Sequence, residues 1–186
     1  MFQFFNDHHE LEGAHAFLSA SNYHWVNYDE DHLAEVYINM LAKQKGTELH
    51  ALASQLIKFK QRLPRSNKTL NRFVNDAIGY RMASEQVLFY SMNCFGTADA
   101  ILFKNNLLRV HDLKTGVSKT SFLQLDVYTA LFCLEYKIEP EKIGIETRIY
   151  QNDDVRIEIP EPDLIREIMA KIIVFDKKIN EIKNGE

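Results

Sequence analysis

The chain has 186 residues, 46% of them hydrophobic and 26% charged, with a formal net charge of −4 at pH 7. That length suits one domain over residues 1–186 with a proper core, and with only 7 Gly and 4 Pro the composition excludes disordered and fibrous classes. No apolar run approaches the roughly 18–20 residues that span a bilayer, "MFQFFNDHHELEG" lacks the features of a secretory leader, and two cysteines without a CxxC pair exclude a structural zinc finger and a disulfide lattice, so a soluble, cytoplasmic protein with buried reduced thiols is expected.

Residues 1 to about 30, including "FLSASNYHWVNYDED", show little periodicity and read as an irregular arm with one short helix. Helical spacing begins at Asp31, where Leu33, Val36, Tyr37, Met40 and Leu41 recur at i, i+3, i+4, i+7 and i+8. After Gly46 the same spacing returns in Leu49, Leu52, Ala53, Leu56 and Ile57. Two amphipathic helices are therefore expected to meet at "KGT", with Thr47 as N-cap of the second and Glu48 as an acid favoured in its first turn. "RLPRSNK" reads as a loop and Leu70 to Tyr80 as a shorter helix.

The period then shortens to two. "EQVLFYSM", "GTADAILFK" and "LLRVHDLK" are expected strands, the last two joined through "NN" as a hairpin. "SFLQLDVYTALFCLEYK" is apolar nearly all round and too long for a strand, which predicts a buried helix from about Lys119 to Tyr136. "KIGIETRIYQ" and "VRIEI" flank "NDD" as a second hairpin. A final helix from about Asp163 carries a stripe of Ile165, Ile168, Ile172, Phe175, Ile179 and Ile182. The fold class is α/β: a mixed sheet of about five strands covered by helices.

Charge is unevenly distributed. Between Leu49 and Asn75 there is no Asp or Glu, while Lys58, Lys60, Arg62, Arg65, Lys68 and Arg72 contribute +6, so the rest of the chain stands at −10. A basic segment on an acidic protein suits a polyanion such as a phosphate backbone, although a solvated basic helix end explains it equally well in isolation.

The residues with chemical potential cluster in the strands. Side chains alternate along a strand, so Asp112 and Lys114 share one face of "LLRVHDLKTG", with His111 and Leu113 on the other. Asp99 sits in the preceding strand of the hairpin. Two buried carboxylates on adjacent strands repel unless a cation lies between them, and a divalent metal with hard oxygen ligands, Mg²⁺ or Mn²⁺, meets that need. His50 is a third candidate ligand, and an imidazole shifts the preference toward Mn²⁺. Gln124 and Tyr128, at i and i+4, share one face of the buried helix, and the Gln amide needs a partner there.

Taken in order, "GTELH" (Gly46 to His50), "GTAD" (Gly96 to Asp99), "DLK" (Asp112 to Lys114) and "QLDVY" (Gln124 to Tyr128) reproduce GxxxH, GxxD, DxK and QxxxY motifs. This set resembles the RecB-like branch of the PD-(D/E)XK nuclease superfamily over roughly residues 18 to 150; "LSAS" (Leu18 to Ser21) is similar to its serine-containing opening segment. The resemblance implies a restriction-endonuclease-like core and a metal site of His50, Asp99, Asp112 and the Leu113 backbone carbonyl. It makes Lys114 the catalytic lysine, with Gln124 and Tyr128 holding the DNA strand or orienting the site, and it loosely matches Glu85 to the family's acid on the first strand. Ala98 replaces the proline of the superfamily's name, and the four cysteines of cluster-bearing members are absent, so no iron–sulfur cluster is expected. The implied activity is Mg²⁺- or Mn²⁺-dependent DNA hydrolysis, as an exonuclease in repair, recombination or phage DNA processing, alone or beside a helicase or strand-annealing protein, with no membrane partner. The alternatives are a catalytically inactive nucleic-acid-binding protein on the same fold and a structural domain in which Asp112 and Lys114 simply pair. Tyr23, Trp25 and Tyr28 offer rings for stacking on unpaired bases or for packing.

Overall fold

The periodicities in the sequence become five strands and four longer helices in the computed structural model, which describes residues 8–185. The chain divides into two compact units, Met1–Lys45 and Gly46–Glu186. In the first, 3₁₀ turns at His9–Leu11 and Ala20–Asn27 precede the start of helix α1 (Glu30–Lys58). Ser19 caps the second turn through a bond from the Asn22 amide to its Oγ (3.3 Å), and Trp25 Nε1 donates to the Ser19 carbonyl (2.9 Å). Trp25 thus packs locally, Tyr23 is exposed and stacked on His24, and Tyr28 stands edge-on to His32. The first seven residues of the expected arm lie outside the described residues.

The expected break at "KGT" is corrected: α1 runs unbroken through Gly46. A lone Gly costs a helix only about 1 kcal/mol. Gly46 is buried, and a Cβ there would lie 2.8 Å from Thr115 Oγ1, so close approach rather than helix termination requires the glycine. Thr47 is consequently no N-cap, and Glu48 lies in mid-helix rather than in a first turn.

In the second unit α2 (Thr69–Tyr80) leads to β1 (Ala83–Ser91), β2 (Cys94–Lys104) and β3 (Leu107–Leu113); α3 (Leu123–Tyr136) crosses to β4 (Gly144–Gln151), followed by β5 (Asp154–Glu158) and α4 (Pro162–Asn184). The sheet order is β1-β2-β3-β4-β5, antiparallel except for the parallel β3–β4 pair, as a helical crossover requires. Asn105 and Asn106 both take positive φ, the conformation of a type I′ hairpin, which bears out the "NN" turn. α3 starts at Leu123, later than expected, because residues 116–118 are pinned as a loop by Gln151 Nε2, which donates to the Gly116 and Ser118 carbonyls (2.6 and 2.8 Å).

Each face of the sheet carries its own core. Leu88, Leu108, Val110, Ile145 and Ile149 pack with α3 and with Ile165 of α4. Ala100, Leu113 and Tyr150 pack with Ala53, Leu56 and Ile57 of α1 and Phe73, Val74 and Ala77 of α2. α3 is apolar nearly all round because it lies between the sheet and α4. The α4 stripe is only partly used: Ile165, Ile168 and Ile172 pack, whereas Phe175, Ile179 and Ile182 are exposed. Cys133 is buried and Cys94 only half-buried, so the expectation of two buried thiols holds for one of them. Among the described residues no helix is long and apolar enough to cross a membrane.

Candidate metal and nucleic-acid site

The ladder between β2 and β3 ends at the Ala100–His111 pair, and one residue beyond it a side chain replaces the backbone. Asp99 Oδ2 accepts from the Leu113 amide (2.8 Å), while its Oδ1 lies 3.3 Å from His50 Nδ1 on α1. Leu113 therefore enters the site through its N–H. Glu85 on β1 completes the group: one ligand atom each from His50, Glu85 and Asp99 lie within 4.8 Å of one another. Glu85 reaches this place through a local irregularity. Its flanking residues Ser84 and Gln86 stay in register with Ala100 and Ala98, while Glu85 itself takes φ 51°, a conformation that costs a non-glycine residue about 1 kcal/mol or more and is enriched at functional sites.

Asp112, 2% exposed, stands just beside this trio rather than within it. Lys114 Nζ is 3.1 Å from Asp112 Oδ2, an ion pair at an angle that leaves the buried oxygen without a hydrogen bond. Burial and then the Asp99 charge push the Asp112 carboxyl up to about 6, against the pull of Lys114. Burial and Asp99 likewise raise Glu85, and the Asp99 partner raises His50 against the cost of its own burial. Such a site carries more negative charge than its own cations balance.

The β3 face that carries Asp112 also carries Lys114, and α3 fixes that lysine. Lys114 Nζ donates to Gln124 Oε1 (2.7 Å), and Gln124 Nε2 donates to Tyr128 Oη (2.9 Å). An ammonium has three donors: Gln124 accepts one in a hydrogen bond, and Asp112 stands beside the others as an ion pair. Tyr128 is held in turn by Gly96, where a Cβ would stand 2.9 Å from Tyr128 Cε1. Gly96→Ala is expected to destabilise the protein by about 1–3 kcal/mol in denaturant melts, because the ring must move. In a Tyr128→Ala background the same substitution should cost under about 0.5 kcal/mol; an unchanged cost there would contradict the contact.

The basic segment divides into two kinds of residue. Lys68 is engaged with Asp153 Oδ2 (2.9 Å), and Asp153 Oδ1 also accepts from the Thr69 amide (2.9 Å), which ties the start of α2 to the β4–β5 turn. Arg62, Arg65 and Arg72 instead line a cavity beside α2. Lys58 and Lys60 are exposed near the end of α1.

Sequence reasoning undervalued Glu85; the signal available was its place on the strand paired with "GTAD", but the kink at this exposed residue is not written in periodicity. It also left open what Gln124 and Tyr128 contact. No family model, no curated protein and no solved structure matches the chain.

Proposed function

We propose that the chain is a metal-dependent DNA nuclease with the restriction-endonuclease-like core that its motif order resembles. The observation carrying this reading is the convergence of His50, Glu85 and Asp99 at the end of β3, beside the Asp112–Lys114 pair. An imidazole nitrogen with carboxylate oxygens is a donor set for Mn²⁺ or Mg²⁺, and the crowding that raises the Glu85 and Asp112 carboxyls, with a buried Asp112 oxygen that has no hydrogen bond, suits a cation beside them.

His50, Glu85, Asp99 and Asp112 are the residues that hold the cation. When bound, it supplies Lewis acidity toward a phosphodiester and its attacking water. The chain's own groups do the rest. Gln124 aims the Lys114 ammonium, which stabilises negative charge developing on the phosphate. Asp112 pairs with that ammonium and holds it in place. Asp99 ties the Leu113 amide to His50, which sets the spacing between β3 and α1.

Two measurements test this. Calorimetry with Mn²⁺ should show binding that weakens as pH falls, because His50 and the raised carboxyls must lose protons to the solvent before they can ligate. End-labelled linear, circular and single-stranded DNA should be cut with Mn²⁺ or Mg²⁺ and spared in chelator. Binding heat without cleavage of any of these substrates would favour a nucleic-acid-binding protein on the same fold; no binding heat at all would overturn the metal site.

A further inference from the structure

The arginines of the basic segment surround a cavity of about 470 Å³, lined by Arg62, Arg65, Ser66, Arg72, Asn75 and Asp76. From its geometry we infer that this cavity is a second phosphate site, which grips a DNA phosphate other than the one being cut. The inference rests on the DNA-processing reading above and adds to it a place where the strand is anchored.

The cavity is built in advance. Asn75 clamps the loop leading to α2 with two bonds, its Oδ1 accepting from the Leu63 amide (3.0 Å) and its Nδ2 donating to the Leu63 carbonyl (2.9 Å). Asn71 Nδ2 holds the Pro64 carbonyl (2.9 Å), and the Lys68 and Thr69 bonds to Asp153 fix the other end. A rigid loop does not have to be ordered when an anion arrives.

Its charge is uncompensated. Among the described residues, Arg62 and Arg72 hydrogen-bond only to backbone carbonyls, of Asn75 and Asp153, each at 3.5 Å, and Arg65 has no hydrogen-bond partner. The single acid, Asp76, is already occupied: it accepts from Tyr150 Oη (2.7 Å) and lies 3.8 Å from Arg148 Nη1. Three guanidiniums around a hollow with a serine hydroxyl at its wall match the oxygens of a phosphate.

Its position links it to the metal site. Asp76 holds Tyr150 Oη, and the Tyr150 carbonyl accepts from the Lys114 amide (2.9 Å), so two residues connect the cavity wall to the lysine. Asn152 and Gln151, from the same strand end, hold the 116–118 loop through its carbonyls. The two sites thus share one end of the sheet.

The test is fluorescence anisotropy in chelator, where nothing is cut, with the full chain and a labelled 20-nucleotide single strand carrying either a 5′-phosphate or a 5′-hydroxyl. Arg65→Gln alone, and with Arg72→Gln, is compared with Lys171→Gln plus Lys177→Gln, which removes equal charge from α4. The arginine pair should weaken binding roughly tenfold or more at low salt and flatten the salt dependence by about one unit per lost contact. Equal losses on both strands identify an internal backbone phosphate, and a loss confined to the phosphorylated strand identifies a terminal one. Losses no larger than those of the α4 pair would overturn the site. Binding that depends on the arginines in a protein that never cuts DNA would leave this site standing and remove the nuclease reading; cleavage with no dependence on them would do the reverse.

Discussion

Asp112→Asn should abolish DNA cleavage and yet raise the stability of the metal-free protein by about 1–3 kcal/mol at pH 8. The carboxyl is 2% exposed, faces the charge of Asp99 and has its acidity pushed to about 6, so ionising it in the fold is costly. Because its pKa is raised on folding, the group favours the folded state fully below its ordinary value near 3.8, and that contribution is lost as pH rises through 6. The gain from Asn should therefore be largest above pH 6 and vanish below about pH 4. Lys114→Met should lower cleavage by roughly 10²–10⁴-fold while leaving Mn²⁺ binding, and it should not stabilise, because Asp112 then loses the cation it is paired with. Denaturant melts in chelator and cleavage in Mn²⁺ read the two effects separately. Parental cleavage by both folded variants would sink the site assignment. A loss of stability in Asp112→Asn at pH 8 would sink the account of that carboxyl as a strained charge.

His111 should make the protein acid-sensitive. It is fully buried, edge-on to Tyr80, with Nδ1 3.3 Å from Tyr150 Oη and Nε2 without a partner among the described residues. The Tyr150 proton goes to Asp76, which makes His111 Nδ1 the donor and leaves Nε2 a bare lone pair. Burial first, then the Arg148 and Arg109 charges, lower this histidine to about 3. Between about pH 6.5 and 3 the unfolded chain binds a proton here that the fold excludes. Stability from this group is thus complete above 6.5 and declines as pH falls, by up to about 1.4 kcal/mol per unit. Asp112 and Asp126, each pushed up to about 6, act in the opposite direction between 3.8 and 6, so the effect must be isolated by difference. His111→Phe keeps a ring against Tyr80 and removes the titration. Relative to the parent, it should gain about 2–3 kcal/mol between pH 7.5 and 4.5 in urea melts; a difference that does not move with pH would contradict a neutral buried imidazole.

The strands, the short helix α2 and the Asn105–Asn106 hairpin were legible in the sequence because each is decided by neighbours: alternation of apolar residues, a 3.6-residue stripe, two asparagines that tolerate positive φ. Asp112 and Lys114 could be placed on one face for the same reason, since the pleat alone orders it. Gly46 was misread because glycine has two uses, ending a helix or admitting a close neighbour, and only the approach of Thr115 distinguishes them. Glu85 joined the acids through one residue at φ 51°, a local kink with no periodic signature. Lys68 and Arg65 are equivalent in a charge count; Asp153, 85 residues away from Lys68 in the chain, separates the engaged cation from the available one. Local chemistry in the sequence thus determined the elements and the kinds of residue they carry. Which charges meet, which are neutralised and which are left for a ligand was decided by contacts between distant segments, whose energies depend on burial and separation that only the tertiary fold sets.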